Sequence, residues 1–210
     1  MSLDPPEPSV ELNVDGQATV PRQAASVILL RGAGATLEVL LVRRTPAARF
    51  MAGVWVFPGG AVDTGEGEGD GAHRVAGLRE LHEEAGIVVD DPGALVKFSR
   101  WITPAQVKIR FDTHFFLAAA PDGQEPTIDG SEIVDSGWFA PADALAAHAR
   151  DELALVFPTI KHLEQLCAFA TADEAIAHAR DSHVAPVEPR VVTEGEMARI
   201  VLPGEPGYDS

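Results

Sequence analysis

Two stretches of the sequence decide the fold: Phe57-Pro58-Gly59-Gly60 and Arg79-Glu80-Leu81-His82-Glu83-Glu84-Ala85-Gly86-Ile87. In the second stretch Glu80, Glu83 and Glu84 recur at i, i+3 and i+4, so on a helix they share one face. Three carboxylates on one face repel one another. A hard divalent cation such as Mg²⁺ or Mn²⁺ removes that cost, because it prefers oxygen ligands. Taken alone, the pattern could equally be an exposed charged helix face.

The segments around these stretches predict a glycine turn, a loop and a helix. Gly59 and Gly60 allow close approach of the backbone to a ligand, although a plain tight turn is the alternative. The alternating glycines of 65–71 predict a loop. A helix is predicted from Ala72 to Ala85, and Gly86 is placed to end it in a left-handed cap. Its predicted apolar stripe consists of Val75, Leu78, Leu81 and Ala85.

Together the turn and the helix resemble the signature of the Nudix hydrolase family. That signature runs Gly, five residues, Glu, seven residues, then Arg-Glu-apolar-x-Glu-Glu-x-Gly-apolar. Here it begins at Gly60, Glu66 is its first acid, and its second half from Arg79 is a complete match. Twelve residues instead of seven separate Glu66 from Arg79. The longer spacing leaves open whether Glu66 or Glu68 acts as the acid of the loop.

The resemblance implies an α+β Nudix fold, with a mixed β-sheet sandwiched between helices and extra helices at the C-terminus. It implies that Glu80, Glu83 and Glu84, with the carbonyl of Gly59, bind Mg²⁺ or Mn²⁺. Metal ions would then clamp a diphosphate and activate water. Arg79, one helical turn from Glu83, is expected to orient its carboxylate. The candidate catalytic residues are Glu80, Arg79, Glu83 and Glu132, with Glu80 or Glu132 taking the proton of the water.

The sequence just before the Nudix signature bears on the choice of substrate, because it resembles the motif of coenzyme A diphosphatases. Arg44, Arg49 and Gly53 keep the spacing of that motif to Gly60, whereas Val42 and Trp55 depart from it. The planar guanidinium group of an arginine can donate two hydrogen bonds to a phosphate, although Arg43 and Arg44 could simply end a surface strand. Segments starting at Arg100, Arg110 and Leu202 are similar to the branch containing the peroxisomal animal enzyme. The predicted substrate-binding residues are Arg44, Arg49, Phe57, Arg100 and Arg110.

Two alternatives to a coenzyme A substrate stay open. The same chemistry could act on ADP-ribose, a dinucleotide or a nucleoside triphosphate. The fold could also serve as a ligand sensor without catalysis, but the complete Arg-Glu-x-x-Glu-Glu segment argues against that reading.

The order of elements favours one domain at residues 21–210 after a flexible tail at 1–20. Strands lead, one helix interrupts them, and helices gather near the end, which is typical of α+β proteins. Strands are predicted at Ala24–Leu30, Leu37–Val42, Val54–Phe57, Ala94–Trp101, Phe111–Ala118 and Glu132–Phe139, with a strand or hairpin over Arg190–Pro203. Helices are predicted at Pro141–Leu155, from Pro158, and near Ala175–Ala179 after a Thr171/Glu174 capping box.

The charge balance excludes several classes of partner. With 16 Lys and Arg against 32 Asp and Glu, the formal net charge is −16. Such a surface repels nucleic acid and anionic membranes, so we expect neither as a partner. The expected partner is a small nucleotide diphosphate, and a homodimer is possible. The single cysteine, Cys167, is predicted to lie in the core. One cysteine cannot form a disulfide bond within the chain, and the sequence shows no secretory signal, so we expect a cytoplasmic protein.

Overall fold

The computed structural model describes residues 13, 17–32, 36–48, 51–194 and 197–208. The strands are β1 (Arg22–Arg31), β2 (Glu38–Arg44), β3 (Trp55–Val56), β4 (Gly59–Ala61), β5 (Val96–Ile102), β6 (Phe111–Ala119), β7 (Ile133–Phe139), β8 (Pro186–Val187), β9 (Arg190–Glu194) and β10 (Met197–Val201). The α-helices are α1 (Gly69–Ala85), α2 (Pro141–Ala149), α3 (Phe157–Leu166) and α4 (Ala172–Asp181).

Strand β1 organises the mixed sheet. One edge of β1 pairs in parallel with β6 over its whole length, from Arg22 to Leu30. Its other edge pairs antiparallel with β4 near the start and with β2 near the end. Since β2 pairs with β3 at Val42 and Arg43, the two short strands β3 and β4 fill the space where β1 and β2 diverge. The Phe57–Gly60 turn therefore lies in the middle of the sheet.

The two faces of the sheet carry separate hydrophobic cores, because side chains alternate along a strand. On one face Ala25, Val27 and Leu29 pack against α1. On the other face Ile28 and Leu30 belong to a core that includes buried residues of α2, α3 and α4. The predicted α+β architecture, a mixed sheet between helices with extra C-terminal helices, is confirmed.

The prediction of the first helix needs two corrections. Helix α1 begins at Gly69 rather than Ala72, so the loop is shorter than the run of glycines suggested. Val75 is 43% exposed and does not belong to the buried stripe. The helix instead packs close to β1 through small side chains, and a Cβ on Gly77 would lie 3.1 Å from Cγ2 of Val27. Gly86 ends the helix in the left-handed region, as predicted, with φ 66°.

The C-terminal third agrees with the sequence pattern in outline. The hairpin of β9 and β10 is confirmed, and the Thr171 hydroxyl accepts a hydrogen bond from the Glu174 N–H at the start of α4. Helix α2 ends at Ala149, earlier than predicted. Cys167 is exposed rather than in the core. Residues 1–12 and 14–16 of the predicted tail lie outside the described residues. No helix among the described residues is long and apolar enough to span a membrane.

A buried histidine lies in the core under α3. The ring of His162 is fully buried, packs against Phe57, Phe115 and Trp101, and has Nε2 2.6 Å from the Ser99 hydroxyl. Burial lowers the pKa of His162 to about 3. In the unfolded chain the pKa returns to about 6.5. Below that pH the unfolded state takes up a proton that the folded state cannot, so stability is lost as the pH falls from about 6.5 towards 3.

We expect His162→Gln to reduce the loss of unfolding free energy that occurs as the pH falls below about 6.5. Between pH 6 and pH 4 the unfolding free energy of the wild type should fall more steeply than that of His162→Gln, by up to about 1.4 kcal/mol per pH unit. Urea titrations at each pH measure this slope. His82→Gln, a change at an exposed histidine, should keep the wild-type slope. Equal slopes for all three proteins would contradict the buried neutral imidazole.

Candidate active site

The glycine turn makes two close approaches that a Cβ atom would obstruct. A Cβ on Gly59 would lie 2.5 Å from the carbonyl oxygen of Ala25 and 2.7 Å from Cα of Ser26. A Cβ on Gly60 would lie 2.2 Å from Oε1 of Glu80. The first glycine therefore permits the pairing of β4 with β1. The second lets the helix carboxylate reach the backbone of the turn.

Glu84 is the buried acid of the site, with 5% of its surface exposed. Its Oε2 accepts a hydrogen bond from the Gly59 N–H at 2.9 Å, and its Oε1 lies 3.9 Å from Nη1 of Arg44. Desolvation raises the pKa of Glu84 to about 8, against the opposing effect of the Gly59 hydrogen bond. A buried carboxyl group of this kind favours a cation beside it.

Arg79 gathers the acids of the loop and the helix. Its guanidinium donates to Oε1 of Glu66 at 2.8 Å, to Oε1 of Glu80 at 2.7 Å and to Oε2 of Glu83 at 3.1 Å. It also donates to the carbonyl of Ala61 at 2.9 Å. Hydrogen bonding to Glu66, and then to Glu80 and Glu83, raises the pKa of Arg79. The expected contact between Arg79 and Glu83 is present, and it is one of several.

The donor set fits a divalent metal ion in its chemistry but is not gathered around one point. Desolvation raises the pKa of Glu80, with smaller contributions from the neighbouring Glu83 and Glu132 carboxylates. A divalent ion would offset both effects, and carboxylate oxygens are the ligands it prefers. Among the described residues, however, no three acidic, histidine or cysteine side chains are arranged to hold one ion. Metal binding would therefore require carboxylates now bonded to Arg79 or Arg44 to turn towards the ion.

Arg44 and Glu132 form the wall opposite the helix. Nη2 of Arg44 lies 3.1 Å from Oε1 of Glu132, whose side chain is 62% exposed. The loop before Glu132 is held by Asp129, whose carboxylate accepts hydrogen bonds from the Ser131 hydroxyl and from the N–H groups of Glu132 and Ile133. These bonds lower the pKa of Asp129 to about 2. The loop thus presents Glu132 across from Glu84.

The structure distinguishes the two acids of the glycine-rich loop. Glu66 bonds to Arg79 with one carboxylate oxygen and accepts the Asp63 N–H with the other at 2.6 Å. Its side chain is 9% exposed. Glu68 is the residue before α1 and makes no capping hydrogen bond with its side chain. In this structure Glu66 is therefore the loop acid in contact with the acidic helix face, despite the longer spacing.

Three of the predicted substrate-binding residues lie elsewhere. Phe57 is 3% exposed and packs against His162 in the core, so it offers no surface to a ligand. Arg100 makes a bidentate pair with Asp112 at 2.8 and 2.7 Å. Arg110 is 8% exposed and donates to the carbonyls of Thr103 and Thr19 and to Glu188. Both arginines connect segments of the fold. Arg49 lies outside the described residues.

The pair of Arg100 and Asp112 belongs to a polar network that sequence reasoning missed. Asp112 also accepts from Nε2 of Gln23, whose Oε1 lies 2.9 Å from Nε2 of His73 in α1. The ring of His73 stacks on that of His114 with centroids 3.8 Å apart. Desolvation lowers the pKa of His114 to about 4. The network ties α1 to β1 and β6. In the sequence this network was visible only as the polar segment Arg110–His114, and that segment does not indicate which residues it contacts.

The chain belongs to the Nudix family. The model of the NUDIX domain matches residues 20–159, which include the whole acidic site. A crystal structure of a NUDIX hydrolase from Alicyclobacillus acidocaldarius superposes with a TM-score of 0.70 at 29% identity, covering 76% of this chain and 96% of that one.

Two curated relatives are similar over part of their length. A "Putative nudix hydrolase 7" of Caenorhabditis elegans is 30% identical over 181 residues, covering 69% of this chain and 60% of the relative. "Acyl-coenzyme A diphosphatase NUDT19" of Xenopus laevis is 32% identical over 85 residues, covering 39% of this chain and 22% of the relative. The chain thus spans less than two thirds of the length of either relative.

Alanine substitutions at the two glycines should have different effects. Gly60→Ala collides with the end of a flexible side chain, so we expect the fold to survive and Glu80 to be displaced, with Mn²⁺ affinity reduced by about 10- to 100-fold. Gly59→Ala collides with the backbone of β1 and should instead lower the melting temperature strongly. Calorimetric Mn²⁺ titration and thermal unfolding measure the two effects. Gly65→Ala, which meets no atom within 4 Å, is the control. Unchanged Mn²⁺ affinity in Gly60→Ala would contradict the close approach.

The two loop acids provide a matched pair. Glu66→Gln should lower the unfolding free energy by about 1–2 kcal/mol, because a nearly buried charged hydrogen bond to Arg79 is weakened. Glu68→Gln should stay within about 0.5 kcal/mol of the wild type, as surface changes usually do. Denaturant unfolding distinguishes them. An equal or larger loss in Glu68→Gln would reverse the assignment.

Proposed function

We propose that this chain is a divalent-metal-dependent hydrolase that cleaves the diphosphate linkage of a nucleotide derivative. The observation that supports it best is the placement of Glu80 and Glu84 against the Gly59–Gly60 turn. The buried Glu84 carboxyl group accepts a hydrogen bond from the Gly59 N–H, and the Glu80 carboxyl group lies where a Cβ on Gly60 would be, with Glu83 beside them on α1. A structural helix face has no use for acids placed where burial disfavours their charge.

In this proposal Glu80, Glu83 and Glu84, with the carbonyl of Gly59, hold Mg²⁺ or Mn²⁺. When bound, such an ion neutralises charge on the diphosphate and lowers the pKa of an attacking water. Arg79 has a positioning role, since it orients Glu80 and Glu83 without facing the substrate. Its contacts to Glu66 and to the carbonyl of Ala61 fix the guanidinium from the other side.

Glu132 is the proposed acceptor of the proton from the water. Its side chain is exposed, lies across from Glu84, and is held by Arg44 through one oxygen. Glu80 is the alternative, but it is already bonded to Arg79 and assigned to the metal. In the reaction the water oxygen bonds to one phosphorus, the bridging P–O bond breaks, and the departing phosphate keeps the bridging oxygen.

The proposed substrate is coenzyme A or an acyl derivative, which would yield 3′,5′-ADP and a phosphopantetheine. Two facts support it: the coenzyme A motif before the box, and the partial similarity to the acyl-coenzyme A diphosphatase of Xenopus laevis. Arg44, a member of that motif, lies at the acidic site. Arg49 stays a predicted substrate residue. ADP-ribose and dinucleotides remain the alternative substrates of the same site.

The substitution Glu83→Gln tests metal dependence. The amide keeps an oxygen for the contact with Arg79 but loses the charge, so we expect kcat to fall by about 10²-fold with little change in stability. His82→Gln, at the exposed neighbour on the same helix, should keep wild-type kcat. Steady-state kinetics over a range of Mg²⁺ and Mn²⁺ concentrations measure the effect. Full activity in Glu83→Gln, or in excess EDTA, would refute the proposed chemistry.

A product-resolved screen tests the substrate separately. We expect kcat/KM to be highest for coenzyme A species among coenzyme A, acetyl-coenzyme A, NADH, ADP-ribose and dinucleoside polyphosphates. Chromatography should show 3′,5′-ADP as the adenine-containing product. A higher kcat/KM for ADP-ribose or NADH would remove the coenzyme A assignment and leave the hydrolase assignment intact.

A further inference from the structure

A cavity of about 460 Å³ lies at the edge of the sheet, lined by residues of β5, the N-terminal half of α1 and the end of α4. Strand β8 pairs with β5 only at Arg100 and Trp101. The edge of β5 near Lys97 is therefore not paired with β8, and residues of the segment after α4 line the open cavity beside it. The lining residues are Arg74, Gly93, Leu95, Val96, Lys97, Ala179, Arg180, Ser182, His183 and Val184.

The charge of this lining is opposite to that of the protein. The chain has twice as many acidic as basic residues, yet the described lining contains three Lys or Arg side chains, a histidine and no Asp or Glu. Asp70 lies beside the cavity and pairs with both Arg74 and Lys97, at 2.9 Å each. Among the described residues the side chains of Arg180 and His183 make no ion pair and no hydrogen bond, so their N–H donors are available to a ligand.

Arg74 is held in place as a ligand-binding guanidinium would be. Nε donates to Asp70, and Nη1 donates to the carbonyls of Pro92 and Leu95. The guanidinium carbon also lies 5.2 Å from the ring centre of Phe116. Within the described part of the chain Nη2 makes no hydrogen bond, so this nitrogen is available. A fixed arginine with free N–H groups costs little entropy when it binds an anion.

Four backbone carbonyl groups near the cavity already accept hydrogen bonds. Arg74 takes the two carbonyls of the turn before β5. At the end of α4 the Ser182 N–H donates to the carbonyl of Ala179, and its hydroxyl donates to that of His178. Two carbonyl groups at the C-terminal end of α4 therefore already have donors, and the cations of Arg74, Lys97 and Arg180 would have to outweigh the partial negative charge of that helix end.

We propose that this cavity binds the phosphate group of a small molecule. Arg74, Lys97 and Arg180 supply charge-assisted hydrogen bonds to the phosphate oxygens, and His183 adds a fourth donor. The half-buried side chain of Val184 is placed to contact the body of the ligand. The volume lies within the range of small-molecule sites. The cavity shares α1 with the acidic active site but none of its residues, so the proposal does not depend on the proposed hydrolysis.

Two sources offer this chemistry, free phosphate and the phosphate of a nucleotide, and one experiment separates them. Amide chemical shifts of the ¹⁵N-labelled full chain are followed at constant ionic strength, in EDTA, with inorganic phosphate, AMP and adenosine as probes, since salt screens exposed charges. We expect phosphate and AMP to shift the amides of Lys97, Ser182 and His183. Comparable affinities would identify free phosphate as sufficient, whereas markedly tighter AMP binding would identify a nucleotide.

Matched variants test whether the named cations carry the binding. Arg180→Ala and Lys97→Ala should each weaken binding by about 5-fold, the upper range for exposed ion pairs. The controls Arg150→Ala and Lys161→Ala remove the same charges elsewhere. Arg150 directly follows α2, and Arg180 lies in the last turn of α4, so both stand near the C-terminal end of a helix. Binding of adenosine equal to that of AMP, shifts confined to other regions, or equal loss in the control variants would overturn the proposal.

Discussion

The guanidinium of Arg79 joins the parts of the acidic site. It reaches the loop through Glu66, strand β4 through the carbonyl of Ala61, and its own helix through Glu80 and Glu83. Without this cation Glu66, Glu80 and Glu83 would lose the charge that offsets their mutual repulsion. The contact also fixes α1 relative to the glycine turn, because the carbonyl of Ala61 directly follows that turn in β4. The rest of the site takes its geometry from this arrangement.

The sheet can bring the turn to the helix because small residues line the approach. Gly59 and Gly60 leave no side chain between β1, the turn and Glu80, and Gly77 lets α1 lie against Val27. The polar network of Gln23 and His73 adds a second tie between α1 and β1, one helical turn from the start of α1. The helix is therefore held at both ends. That constraint suits the proposed metal site, whose carboxylates would turn towards an ion while the helix stays in place.

The two halves of α1 take part in different charged regions. Its C-terminal half carries the acids that face the turn, whereas its first turns carry Asp70 and Arg74 beside the basic cavity. A protein with a formal net charge of −16 thus keeps a local positive surface on the same helix as its acidic site. The two regions face different parts of the sheet, since Glu84 points to Arg44 in β2 and Asp70 to Lys97 in β5. A change in the position of α1 would therefore alter both the acidic site and the basic cavity.

The sequence alone determined the family, the fold class and the acidic helix face, because these follow from local spacing: carboxylates at helical intervals, two adjacent glycines, and the alternation of strands. Tertiary structure decided the partners. Glu66 rather than Glu68 contacts Arg79 because the chain folds back across the longer loop. Phe57, Arg100 and Arg110 contact His162, Asp112 and Glu188, which come from distant segments of the sequence. Periodicity specifies which face of an element is buried, but the identity of the side chain across from it depends on how non-neighbouring elements pack.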